Sequence, residues 1–127
     1  MRRVAIYARA DDVPDARERL DIQIATVAAF VRRRGDWHVA TYADVGPRAP
    51  LERPGLARLL TDARCGDHDV VVVEHRETIT PDPAGRRRVR DWLGVAGVSV
   101  IVMRPPARAR LGRAVAALAL VDLADDR

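Results

Sequence analysis

The chain has 127 residues, of which 48% are hydrophobic and 31% charged, with a formal net charge of +4; these values are typical of one globular domain with a single core. It contains no lysine, which excludes mechanisms that need a Schiff-base lysine or a P-loop lysine. Cys65 is its only cysteine, which excludes a disulfide framework and a cysteine-based zinc site.

The first half of the chain alternates between strand and helix patterns. Residues 4–8 form an apolar run rich in β-branched and aromatic side chains, which predicts a buried strand. Apolar residues recur at helical spacing over 16–34 and predict an amphipathic helix that ends at Gly35. Residues 37–43 alternate as in a second strand, with Asp44 at its end.

The middle of the chain repeats this alternation. Residues 45–54 contain glycine, proline and charged residues and predict an irregular loop. A short helix is predicted to begin around Leu56 and to end near Gly66. The valine run at 70–73 predicts a strand that is covered on both faces, as in a parallel sheet, and a polar loop follows over 74–83.

The last third adds a helix over 84–96, a strand over 98–103 and a final helix over 109–124. Strands that alternate with helices predict an α/β fold of three layers, in which a mostly parallel central sheet carries helices on both faces. We expect ligands to bind at the carboxyl ends of these strands. For the first strand, those positions are Arg9, Asp11 and Asp12.

The final predicted helix is apolar on all sides over residues 114–121. Such a helix needs cover from more than one direction, and a second subunit of an isologous dimer would supply it. We therefore predict a homo-oligomer, a dimer or larger, formed through this carboxyl-terminal helix. The side chains expected at the interface are Leu111, Val115, Leu118 and Val121.

The remaining organisation is simple. We expect one domain over residues 1–127, with no separate DNA-binding domain. No apolar run has the length of a membrane span and no leader pattern is present, so a cytoplasmic protein that does not contact membranes is predicted. The three histidines have no ligand spacing, so no metal and no cofactor is expected.

Several short motifs, in this order and spacing, resemble the catalytic domain of the serine recombinase (resolvase/invertase) family. The resemblance covers residues 3 to about 123. It rests on Val-Ala-Ile-Tyr-Ala-Arg at 4–9, Leu-Asp-Ile-Gln at 20–23, Tyr-Ala-Asp-Val-Gly at 42–46, Arg-Pro-Gly-Leu at 53–56, the aspartate and valines at 69–73, Gly-Val-Ser-Val at 97–100 and Gly-Arg at 112–113.

The resemblance implies a DNA-cleaving enzyme, since members of this family attack a phosphodiester with a serine and bind the phosphate with arginines. The family serine, however, falls on Asp11 here. The family's Asp-Arg-Leu-x-Arg motif falls on residues 77–81, where Glu77 and Thr78 come first and both arginines are missing. The matching positions that keep their residue types are Arg9, Gln23, Asp44 and Arg53.

The site is therefore predicted to be degenerate, with no intact catalytic set. Ser99, the only serine of the chain, lies within the fourth predicted strand and is interpreted as a core or sheet residue. Arginines that could still bind phosphate or DNA are Arg9, Arg53, Arg104, Arg108, Arg110 and Arg113. A second group on the third helix comprises Arg86, Arg87, Arg88 and Arg90, and an ordinary solvated surface is the competing interpretation of both groups.

Three functions follow from these residues. The first is a recombinase-like domain that has lost DNA cleavage and strand exchange and acts as an oligomerising interaction or scaffold module. The second is a DNA-associated regulator that binds DNA or joins an active recombinase. The third is metal-dependent phosphoryl chemistry at an acidic site formed by Asp11, Asp12, Asp44 and Glu74.

Overall fold

The computed structural model describes residues 1–47 and 50–105. They form a four-stranded parallel sheet of order β2-β1-β3-β4 with helices on both faces, which confirms the predicted three-layer α/β architecture. The elements are β1 (Arg3–Ala10), α1 (Ala16–Arg33), β2 (Trp37–Val45), α2 (Pro54–Arg64), β3 (Val70–Val73), α3 (Pro83–Val95) and β4 (Ser99–Val102).

The inner strands β1 and β3 are buried because helices cover both faces of the sheet. One face packs Val4, Ile6 and Val72 against α1 through Val27 and Val31. The opposite face carries α2 and α3, whose buried side chains include Leu56, Leu59, Val89 and Leu93. Continuous apolar runs in these strands are the sequence pattern expected of a sheet that is enclosed in this way.

The segment between β3 and α3 differs from its prediction as a polar loop. Residues Arg76–Thr78 form a 3-10 turn, and Thr78, Ile79 and Thr80 are buried. Ile79 packs in the core cluster that contains Val89 and Leu93 of α3. The threonines on either side of it are buried as well. The predicted last helix lies outside the described residues, as do its proposed interface side chains.

Charged side chains join the strands at the amino edge of the sheet. The guanidinium of Arg3 donates to both oxygens of Asp69, at 3.2 and 2.9 Å. These hydrogen bonds lower the pKa of Asp69 to about 2. Arg2 forms a similar pair with Asp36 at 3.0 Å, so the starts of β1, β2 and β3 are held together by ion pairs.

Among the described helices, none combines the length and the apolar character that crossing a bilayer requires.

Gly55, at the start of α2, lies against the end of β2. A Cβ atom at this position would stand 2.6 Å from the carbonyl oxygen of Ala43 and 2.8 Å from an oxygen of the Asp44 carboxylate. We predict that Gly55→Ala lowers the free energy of unfolding by about 1–3 kcal/mol, because backbone must move to relieve the overlap. Gly94→Ala is the matched control, since a Cβ there meets nothing within 4 Å, and it should stabilise α3 by about 0.5–1 kcal/mol. Equal effects of the two variants in urea denaturation would contradict this.

His68 is a buried titratable side chain at the amino edge of the sheet. It is 2% exposed, neither ring nitrogen has a hydrogen-bond partner among the described residues, and its ring packs edge-on against Tyr42 at 5.9 Å. Burial lowers the pKa of His68, outweighing the opposing effect of the Asp62 and Asp67 carboxylates. Below a pH of about 6.5, the unfolded chain therefore binds a proton that the folded chain resists.

We predict that the free energy of unfolding falls as the pH drops below about 6.5, by up to about 1.4 kcal/mol per pH unit from this residue. Urea denaturation at pH 7.5 and 5.5 measures the difference. The His68→Leu variant, which cannot titrate at this position, should lose most of it. An unchanged pH dependence in this variant would assign the effect to another group.

Candidate functional site

A polar cavity of about 450 Å³ opens where β1 and β3 end at the carboxyl edge of the sheet. This is the edge at which a ligand site was predicted. Its lining comprises Arg9, Asp11, Gln23, Glu74, His75, Glu77 and Thr78. Asp12 is exposed and does not line it.

Arg9 is the cation of this cavity, and its charge is already paired. Its side chain is only 8% exposed and its guanidinium lies 3.1 Å from the Asp11 carboxylate. A second guanidinium nitrogen donates to the carbonyl of Gly46. The Nε atom is buried without a hydrogen-bond partner among the described residues. The Asp11 carboxylate therefore already pairs with the arginine that, by the resemblance, would bind the phosphate.

Gln23 binds protein backbone. Its Oε1 atom accepts from the N–H of Arg9 at 3.2 Å, and its Nε2 atom donates to the Arg9 carbonyl at 3.1 Å. The pairing of β1 with β3 ends at Ile6, so this side-chain amide takes over backbone groups that a neighbouring strand would otherwise satisfy. Its amide thereby joins α1 to the end of β1.

Asp44 lies within β2, one residue before its end, and is buried at 8% exposure. Its carboxylate accepts from the backbone N–H groups of Gly55 at 2.7 Å and Leu56 at 2.9 Å, and from the hydroxyl of Tyr7 at 2.8 Å. It thus supplies the acceptor for the start of α2, where the N-cap residue Arg53 makes no side-chain cap.

Arg53 is buried at 7% exposure beneath the same cavity edge. It donates to the carbonyl of Pro50 at 2.8 Å, the hydroxyl of Tyr7 at 3.1 Å and the carbonyl of Thr78 at 3.4 Å. Burial raises the pKa of Tyr7, so its hydroxyl stays protonated between Arg53 and Asp44. Tyr7 was not singled out from the sequence, because a tyrosine in an apolar run gives no signal of a polar network.

The turn after β3 provides no arginine at the two positions of the family motif. Thr78 is buried and its hydroxyl accepts from the N–H of His75 at 3.2 Å. Glu77 pairs with the neighbouring Arg76 at 3.1 Å. Burial alone would raise the pKa of Glu77, but the hydrogen bond from Arg76 and further favourable contacts lower it overall. Glu77 is therefore a carboxylate in this cavity.

Arg86 fits neither interpretation of the arginine group on α3, because it is buried. It is 6% exposed, donates to the carbonyl of Thr80 at 3.0 Å, and its Nε atom has no hydrogen-bond partner among the described residues. Burial lowers the pKa of its guanidinium, and Arg76 adds to this. Its spacing with Val89 and Leu93 places it on the buried face of α3, a signal that the sequence contained. Arg87 and Arg88 are exposed as predicted.

The phosphate-binding candidates beyond β4 divide into two sets. Arg104 is described, and its guanidinium pairs with Glu74 at 3.1 Å. Arg108, Arg110 and Arg113 lie outside the described residues.

Ser99 is an exposed residue at the first position of β4. In a parallel sheet this is the amino edge, opposite the cavity. Of the two interpretations of Ser99, core residue or sheet residue, the structure agrees with the second.

Of the carboxylates proposed for an acidic metal site, Asp11 and Glu74 line the cavity, whereas Asp12 and Asp44 do not. Asp44 is engaged under α2, and Asp11 and Glu74 are each paired with an arginine. Within residues 1–47 and 50–105, no group of three or more His, Cys, Asp or Glu residues is placed to hold a metal ion.

Three similar solved structures are of serine recombinases or of an integrase. The C-terminal catalytic domain of ISC1926 TnpA, an IS607-like serine recombinase, has a TM-score of 0.75 and 23% identity, over 89% of this chain and 76% of that one. The N-terminal catalytic domain of TP901-1 integrase has a TM-score of 0.70 and 26% identity, over 80% and 76%. A serine recombinase from Sulfolobus solfataricus has a TM-score of 0.70 and 18% identity, over 91% and 78%.

Among curated proteins, no relative matches the sequence. The sequence does match the family model of the resolvase N-terminal domain over residues 4–121. That match spans nearly the whole chain and agrees with the fold of the solved structures above. The chain therefore belongs to the resolvase N-terminal domain family, the catalytic-domain family of the serine recombinases.

Proposed function

We propose that this serine-recombinase-type domain has lost DNA cleavage and strand exchange, and that it acts as an oligomerising interaction module. The observation that carries the proposal is the charge of the cavity. Its lining holds the three carboxylates of Asp11, Glu74 and Glu77 against the single guanidinium of Arg9. Phosphoryl transfer needs cations directed at the phosphate oxygens, and the one cation that lines this cavity is already paired with a carboxylate.

The pairing of the nearby arginines strengthens the electrostatic argument. Arg9 pairs with Asp11, Arg76 with Glu77 and Arg104 with Glu74, each at 3.1 Å. In each pair the carboxylate offsets the positive charge that a phosphodiester would meet. The buried Arg53 is held by two carbonyls and a tyrosine hydroxyl.

The hydroxyl groups give further support. Asp11 occupies the family's serine position, and attack by a carboxylate would form an acyl phosphate that water hydrolyses. Ser99 lies at the opposite edge of the sheet. Thr78 borders the cavity, but its hydroxyl accepts from backbone and it is 9% exposed. Within the described residues, the cavity thus holds no exposed hydroxyl beside an unpaired cation.

Self-association rests on the sequence of the last segment. Residues 114–121 are apolar without interruption, and apolar surface of this extent calls for cover. A family domain whose chemistry is lost but whose apolar segment is kept is suited to assembly with copies of itself.

A DNA-associated regulator is the second candidate. Arg87 and Arg88 favour it, because both are exposed on α3 and neither forms an ion pair with a described residue. This candidate requires direct contact with DNA or with an active recombinase. Binding of duplex DNA in low salt that weakens steeply as salt increases would support the direct form.

We predict that the protein forms no covalent adduct with DNA. The wild-type chain, incubated with nicked oligonucleotide duplexes that trap phosphoserine intermediates, should give no band of increased mass on a denaturing gel. Asp11→Ser supplies the hydroxyl and frees Arg9, yet it should also give none, because positions 78 and 81 remain threonine and proline. An active serine recombinase on its own site is the positive control, and an adduct on the wild-type chain would refute the proposal.

We also predict that the wild-type chain is at least dimeric at micromolar concentration. Sedimentation equilibrium should give a mass of at least twice the 14.0 kDa of the chain. The Asp11→Ser variant should have the same mass, because association does not involve the cavity. A monomer across the whole concentration range would rule out the interaction module.

A further inference from the structure

Strand β2 lies at one edge of the sheet and is paired on one side only. In the strand order β2-β1-β3-β4, it contacts β1 and no other described strand. It is nine residues long, whereas β4, at the other edge, has four residues. Strand β2 therefore forms the longer of the two edges of the described sheet.

Three residues of β2 direct their main-chain groups away from β1. The N–H of Gly46 donates to the carbonyl of Ala10 on β1, and main-chain groups alternate in direction along a paired strand. Counting back from Gly46, the N–H and C=O groups of Thr41, Ala43 and Val45 therefore point outward. None of these groups takes part in a hydrogen bond with another described residue.

This edge has little of the protection that edge strands normally have, which is a short length, charge, proline or a bulge. A bulge opposite Val4 and Ala5 interrupts the first part of β2, but residues 41–45 are regular. They include no proline and no basic residue, and their one carboxylate, Asp44, is buried against the start of α2. Val45 is 49% exposed. Such an edge is a template for another strand.

Helix α1 lies over this part of the edge and is polarised in charge. Ile24, near the middle of α1, and Ala43 of β2 pack against the same core cluster. Residues 11–21 contain five carboxylates and two arginines, whereas residues 30–34 contain three arginines and no carboxylate. The helix is therefore acidic at its start and basic at its end.

We propose that β2 pairs antiparallel with β2 of a second copy, about a two-fold axis that passes beside Ala43. Ala43 then lies opposite its own counterpart, and Thr41 of each copy lies opposite Val45 of the other. These opposed pairs exchange two hydrogen bonds each through their outward main-chain groups. The inference rests on the proposed self-association and gives it a surface within the described residues, separate from the last segment.

A second copy is the occupant that the charges favour. The two-fold axis keeps both α1 helices on one face of the joined sheet and reverses their direction, so the basic end of each lies beside the acidic start of the other. Among these charges, Asp12, Glu18, Arg32 and Arg33 are exposed and form no ion pair within the described residues. The arrangement is isologous and closed.

Disulfide crosslinking tests the register of this pairing. In the Cys65→Ser background, one chain carries Thr41→Cys and a second chain, with a different tag, carries Val45→Cys. Opposed residues of an antiparallel pair are about 5.5 Å apart at Cα, which a disulfide can span. After mild oxidation, the mixture should give a linked dimer that contains both tags on a non-reducing gel.

Each chain by itself is the matched control. Two copies of position 41, or two copies of position 45, are four residues out of register across the axis, so neither chain should link to itself. Linked dimers of one tag that are as abundant as those of both tags would indicate parallel pairing or random collision. Either would overturn the proposal.

A proline at the edge gives an independent readout in sedimentation. The N–H of Thr41 points outward, so Thr41→Pro removes no hydrogen bond to β1 but deletes a donor of the proposed pairing. The mass of the particle should fall by about half. Thr41→Val keeps the N–H and favours a strand, so it should keep the wild-type mass. An equal mass of both variants would contradict the proposal.

Charge reversal on α1 tests the same interface at exposed positions, where the fold does not depend on the side chain. Arg32→Glu with Arg33→Glu should weaken dimerisation by about fivefold, because like charges then meet across the axis. Adding Asp12→Arg and Glu18→Arg to the same chain should restore it. No restoration would mean that the two ends of α1 do not meet.

The two proposals fail in different ways. A monomeric wild-type chain refutes self-association itself and this pairing with it. A dimeric wild-type chain that gives no linked product between positions 41 and 45, and keeps its mass in Thr41→Pro, refutes only the pairing of β2 and assigns association to another surface.

Discussion

The hydrogen bonding of the buried Asp44 carboxylate is the interaction on which this site depends. It is buried where β2 ends, and a buried carboxylate is tolerated only when donors replace its lost water. Two backbone N–H groups of α2 and the hydroxyl of Tyr7 provide them. Tyr7 in turn accepts from Arg53, which reaches the turn after β3. One hydrogen-bonded network therefore fixes β1, β2, α2 and that turn relative to one another.

This network holds the framework around the cavity through side chains other than the carboxylates that line it. The side chains that hold the framework together, Asp44, Arg53 and Gln23, are engaged with backbone and with Tyr7. The residues that face the open cavity are Asp11, Glu74 and Glu77. Each is partnered by an arginine, of which Arg9 is buried and Arg76 and Arg104 are partly exposed.

Helix α2 has two separate roles. Its first turn is bound to β2 through Asp44, and its inner face packs Leu56 and Leu59 into the core. Its outer face forms one wall of a groove that Trp92 and Val95 complete. The cavity and the groove share no lining residue.

The fold could be predicted closely from the sequence, because its signals are local. Apolar runs and helical spacing marked the strands and helices to within a few residues, and the alternation of the two implied the parallel sheet. The positions of Arg9 and Asp11 at the end of β1 followed from the same pattern. That the family's serine and its two arginines are missing remains a prediction from the sequence.

Only the tertiary structure decided what these side chains contact. Asp44, Arg53 and Gln23 lie far apart along the chain, and their engagement by backbone depends on how α1 and α2 dock against the sheet. The contact of Arg86 with the carbonyl of the buried Thr80 depends on how α3 docks, and Ser99 is exposed because β4 begins at the amino edge of the sheet. Local periodicity indicates which face of a helix or strand a residue occupies. The residue that it contacts on another element is set by the packing of elements that are distant in sequence.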